Sequence, residues 1–113
     1  MKRAAVTARI LSLWDEVDVV MTPGLASTAL PAEGGFGKPL PLAFNMAGSF
    51  TPWTPVANLT GQPAIAVPAG IGADGLPLSV QLMGRPGAEQ TLYALAAQLE
   101  EAQPWRERRP AVS

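Results

Sequence analysis

The sequence predicts an α/β fold in which the strands of a mixed sheet are flanked by helices. Three observations carry this prediction. Apolar residues recur at helical spacing near both ends, at Val6, Ile10, Leu13, Trp14 and Val17 and again at Leu92, Leu95, Ala96 and Leu99. Short apolar runs bounded by Pro and Gly lie between those segments. Two of the runs are joined by Asp74-Gly75, the strongest turn signal in the chain.

Lys2 to about Glu16 reads as an amphipathic helix, with Thr7, Ser12 and Asp15 on its polar side and Trp14 as a core anchor. Asp18 to Thr22 is a short β-branched run stopped by Pro23-Gly24, which predicts a buried strand. Residues 24–42 are rich in Pro and Gly and hold no sustained period, so they read as a long loop. Within it, Gly34-Gly35-Phe36-Gly37-Lys38 is a poor phosphate loop. Its spacing is wrong, and Pro39 stands where a magnesium-holding Ser or Thr is needed. Residues 43–49 are ambiguous, with a short helix as one reading.

A helix then starts near Thr51 or Thr54, because Pro52 and Pro55 suit a first turn and Thr51 suits an N-cap. Gly61 ends it. Ala64 to Pro68 predicts a strand with Ile65 and Val67 on one side and the small Ala64 and Ala66 on the other. Leu78, Val80 and Leu82 alternate with Ser79, Gln81 and Met83, which predicts the second arm of an antiparallel hairpin. A hairpin alone is marginal in water, so further strands or covering helices are required. Residues 88–102 form the last helix, with Glu89 near its positive end and Pro104 as its stop. The tail, with Arg106, Arg108 and Arg109, reads as a solvated terminus or as surface charge pairing.

A chain of 113 residues suits one domain with a modest core. Hydrophobic residues make up 48% and charged ones 15%, an apolar balance that fits a piece packed against more protein. A formal charge of -1 argues against electrostatic capture of nucleic acid. Without Cys or His the chain has no thiolate nucleophile, no Ser-His-Asp triad and no His-based metal site. Its acids are scattered, so neither a metal nor a cofactor is expected. The N-terminal apolar stretch is broken by Arg9 and followed by Asp15 and Glu16, unlike a signal peptide, and no run is long enough to span a membrane. The expected location is the cytoplasm, without membrane association.

The string Asn58-Leu59-Thr60-Gly61-Gln62-Pro63, the run Ile65-Ala66-Val67-Pro68, and Gly75-Leu76-Pro77 with Gln81, Gly84 and Glu89 resemble the C-terminal part of the amidase signature enzymes, a family of serine amidohydrolases. The family pattern has Gly where this chain has Ser79. Asp18 to Pro23 also resembles the family's strand entering a Pro-rich loop, so the likeness covers most of the chain. It implies an α/β fold that hydrolyses amides with a Ser nucleophile, a second Ser in a cis peptide and a Lys base, all upstream of this region. No Gly-Ser-Ser-Gly-Gly run occurs here, and neither Lys2 nor Lys38 sits in a matching context. Ser12, Ser27, Ser49, Ser79 and Ser113 are isolated from any adjacent base, and such a hydroxyl is a poor nucleophile. No residue is assigned to catalysis.

By the same likeness, Phe50, Thr51 and Trp53 are candidates for lining the pocket of a small-molecule amide substrate, with core packing the other reading of Trp53. Asn58 reads as a turn lock. Gln81 reads as a buried amide tied to a neighbouring strand, and Gly61, Gly75 and Gly84 as serving backbone geometry. The sequence thus predicts residues 1–113 to be a C-terminal amidase fragment, inactive alone. Its partner is either the missing N-terminal part of the domain or a further copy in a homo-oligomer. The alternatives are a non-catalytic module that completes a partner, and part of a glutamyl-tRNA amidotransferase-like subunit.

Overall fold

A computed structural model of the chain describes residues 2–31 and 38–109. Four helices and three strands run in the order α1 (Lys2–Leu11), β1 (Val19–Pro23), α2 (Leu40–Phe50), α3 (Thr54–Thr60), β2 (Ala64–Ile71), β3 (Pro77–Gly84) and α4 (Glu89–Ala102). The predicted α/β class holds, and the three described strands pair antiparallel throughout, in the order β1-β3-β2.

The hairpin forms as its turn chemistry dictates. Gly75 has φ +78°, its N–H donates to Gly72 O at 3.0 Å, and Leu76 N–H donates to the Asp74 carboxylate at 3.1 Å. That is a tight turn followed by a left-handed residue, a geometry glycine adopts without steric penalty. β2 runs on to Ile71, beyond the expected Pro68, by absorbing a register shift between Pro68 and Gly70.

Central β3 is covered on both faces, and its period-2 alternation sorts the core. On one face Leu82 and Val67 meet Leu92 of α4, with Val19, Ile65, Val80, Leu95, Ala96 and Leu99 around them. Trp105 joins this cluster, so the tail is not wholly solvated, and Arg106 makes a surface pair with Glu100 at 3.9 Å, the other expected role. On the other face Met83 meets Trp14 and Ala57, with Leu11, Val20 and Val56 beside them. A Cβ on Gly84 would lie 3.3 Å from both Ala88 Cβ and Leu92 Cγ. Gly84 therefore provides space for α4 rather than an unusual backbone angle.

Several local expectations need correction. The first helix leaves α geometry at Leu11 and continues as a 3-10 turn over Ser12–Asp15. Thr7, Ile10, Leu11 and Trp14 form its inward side, whereas Val6, Leu13 and Val17 are exposed. The tighter 3-10 winding and the anchoring of Trp14 on Met83 set that rotation. The loop ends earlier than expected, because α2 begins at Leu40 with Pro41 in its first turn, where the missing N–H does no harm. Thr51 is not an N-cap: it follows α2 and its hydroxyl donates to Ala47 O at 2.9 Å. Trp53 precedes α3, which ends at Gly61 in the left-handed region, φ 73°. Residues 34–37 of the glycine-rich run, and Ser113, lie outside the described residues.

Arg85 ties the far end of β3 to the start of β1. One guanidinium nitrogen donates to Trp14 O at 3.1 Å and pairs with the Asp18 carboxylate at 3.0 Å. Both side chains are well exposed, so the ion pair itself contributes little. The radius of gyration is 16.4 Å, against about 13 Å for a compact domain of this length. Helix α2 shows the same openness: it carries no charged residue and buries none of its side chains, leaving Leu40 and Phe44 86% and 79% exposed.

Candidate functional site

The open end of the sheet carries a cavity of about 500 Å³. Its floor is Met21–Pro23 of β1, Pro77–Val80 of β3 and Ala69 of β2. Its wall is the segment after β1, through Leu25, Ser27, Thr28 and Ala29. Two backbone bonds hold that wall in place. Gly24 N–H donates to Ser79 O at 2.8 Å, and Ala26 N–H donates to Phe50 O at 2.9 Å. Space at Gly24 is tight, since a Cβ there would displace the rotatable Ser79 hydroxyl and lie 3.1 Å from Ser79 O. Gly24→Val is expected to lower stability by about 1–3 kcal/mol through this overpacking, read as a lower urea midpoint at unchanged slope.

The described lining is uncharged, its side-chain polar groups being the hydroxyls of Thr22, Ser27, Thr28 and Ser79. Ser27 donates to Thr28 O at 3.1 Å. Thr22 Oγ1 is buried without a partner among the described residues. Thr22 lies directly across from Gln81, whose Nε2 is also buried without a partner among the described residues. Gln81 is thus buried as expected, but the tie from its amide nitrogen to a neighbouring strand is not formed. Hydroxyls without a base can hold a ligand but cannot readily attack one.

The other described serines are equally remote from a base. Ser12 donates to Arg9 O at 2.8 Å and Ser49 to Asn45 O at 2.7 Å, both within their own helical turns. Among the described residues no three His, Cys, Asp or Glu side chains converge as a metal site.

Phe50, Thr51 and Trp53 sit together at the junction of α2 and α3, each half-buried or at the margin of exposure. None lines the cavity, although the Phe50 carbonyl anchors its wall. Asn58 does not lock a turn. Its exposed side chain makes no hydrogen bond to a described residue and borders an apolar groove between α1 and α3 formed by Val6, Ile10, Pro55 and Val56. Sequence reasoning missed Thr22, Ser27, Thr28 and Ser79 as one group. The wall has no periodicity to mark it, and the one signal was the Thr22-Pro23-Gly24 exit from β1.

A family model described as Amidase matches residues 1–93. AmiB2 of Mycobacterium tuberculosis, which is named as an amidase, is 49% identical over 108 residues, covering 95% of this chain and 23% of that protein. One component of the glutamyl-tRNA(Gln) amidotransferase of Methylocella silvestris is 44% identical over 91 residues, covering 80% of this chain and 17% of its own length. The structure of 6-aminohexanoate cyclic dimer hydrolase superposes with a TM-score of 0.85 at 30% identity, covering 96% of this chain and 24% of that one. The chain therefore spans about a quarter or less of the length of these relatives.

Proposed function

This chain belongs to the amidase family, and from that premise we propose that it is the C-terminal segment of an enzyme that hydrolyses carboxylic amides to an acid and ammonia or an amine. The observation that carries the reading is the family match over residues 1–93 in a chain that covers so small a share of its relatives. The segment contributes scaffold and pocket wall, and the nucleophile and base belong to the remainder of the domain. Phe50, Thr51 and Trp53 stay candidates for the acyl pocket of the complete enzyme, where α2 brings them beside the loop after β1.

The partner that completes the segment is the N-terminal part of the same domain. The uncharged, mostly apolar helix α2 supports this, since its exposed Leu40 and Phe44 are residue types that a larger core would cover. A second copy covering the same faces is the competing arrangement. A cytoplasmic location belongs to the same proposal; among the described residues no helix is long and apolar enough to cross a membrane. The likeness to the amidotransferase component favours a second reading, in which the released ammonia is passed to tRNA-linked amidation.

The test is to assay ammonia release by the pure chain and by the chain co-expressed with the remaining part of AmiB2. The expected result is no turnover by the chain alone and turnover by the completed pair. Turnover by the pure chain would move the chemistry into these residues. An inactive but stably assembled pair would remove the hydrolase reading.

A further inference from the structure

We propose that the outer face of α1 and its 3-10 turn is a docking surface for a second copy of this chain, the two helices running antiparallel about a two-fold axis. The face is distinct from α2, and the proposal stands apart from the amidase reading.

Two observations carry it. One is a ridge beside a groove. Val6 and Leu13 are exposed, about two turns apart on one side of the helix, although their spacing suits a core. Next to them an open apolar groove runs between α1 and α3, formed by Val6, Ile10, Pro55, Val56 and Leu59. A surface that holds both shapes can pair with itself. The ridge of one copy enters the groove of the other, and the two-fold makes the contact reciprocal.

The other observation is the order of charge. Lys2 and Arg3 open α1, whose first turn holds no acid, and Asp15 and Glu16 close the 3-10 turn. A lone helix favours the reverse, with acids at its N-terminal end and bases at its C-terminal end. Arg85 takes Asp18, but neither Asp15 nor Glu16 has an ion pair among the described residues. An antiparallel copy sets the basic opening of each helix against the acidic end of the other, whereas a parallel copy sets like against like. Arg9, exposed near the midpoint, then meets its own copy across a solvated rim, at small cost. The face spans roughly 20 Å along the helix, so the interface is a small one. Its dissociation constant is expected on the order of 0.1 mM.

The test is sedimentation equilibrium of the 113-residue chain up to about 1 mM, with circular dichroism as the check on folding. The expected result is a monomer–dimer equilibrium. Leu13→Ser is expected to weaken it by about tenfold or more, since each dimer loses two apolar contacts. Arg9→Gln is expected to tighten it. The double variants Asp15→Lys/Glu16→Lys and Lys2→Glu/Arg3→Glu are each expected to be monomeric alone and to form a heterodimer when mixed. A monomer at every concentration would overturn the proposal, as would a dimer that Leu13→Ser leaves undiminished or a mixture no more associated than its two components. Phe44→Ser is expected to leave the dimer intact, and its loss there would move the contact to α2. A dimer dissolved by adding the remaining part of AmiB2 would assign the face to that polypeptide instead.

Discussion

Leu82→Asp is expected to abolish cooperative folding of the chain. Leu82 is 2% exposed in the buried second half of the central strand, where it joins Val67 and Leu92. Truncating such a residue costs about 2–5 kcal/mol, and an unpaired carboxylate in its place adds several more. The sum reaches the lower part of the roughly 5–15 kcal/mol that holds an ordinary domain together, and this chain lacks part of its cover. Leu78→Asp, on the same strand but 38% exposed, is the control and is expected to leave a folded protein. Urea unfolding followed by far-UV circular dichroism separates the two. Similar loss from both would mean that α4 does not define the buried half of this strand.

Trp14→Ala is expected to cost about 3–5 kcal/mol, whereas Trp14→Phe costs far less. Trp14 is 8% exposed and links the 3-10 turn to Met83 and to Ala57 of α3. Its indole N–H is buried without a partner among the described residues. Phe keeps most of the packing and removes that unsatisfied donor, so part of the lost contact area is offset. Chemical denaturation of the two variants measures the difference. Equal destabilisation would show that the indole N–H is bonded in solution.

The sheet was legible because its signals are local. Ile65 and Val67 alternate with alanines, Asp74-Gly75 closes a turn, and Leu92 to Leu99 keep a helical period, and each became the element expected. Misreadings arose where tertiary contact overrode pattern. Thr7 turned inward and Val6 outward because Trp14 anchors on Met83 across a 3-10 turn, which a fixed 3.6-residue period does not describe. Thr51 looked like a helix start yet its hydroxyl serves the helix before it. The cavity was least legible. Its lining comes from three strands and a loop, joined by bonds such as Ala26 to Phe50 that no spacing announces.

The register of the sheet also sets an order of events during synthesis. Pro23 pairs with Val80, so β1 leaves the ribosome roughly 60 residues before its only described strand partner exists. At about 5–20 residues per second that interval is on the order of 3–12 s. β2 and β3, by contrast, are joined by a short turn and can pair within about 1–10 μs once both have emerged. For those seconds the Val19–Pro23 segment is an unpaired, uncharged strand, the kind of edge that neighbouring chains extend. Its protection falls to whatever the nascent chain or a chaperone supplies before Val80 arrives.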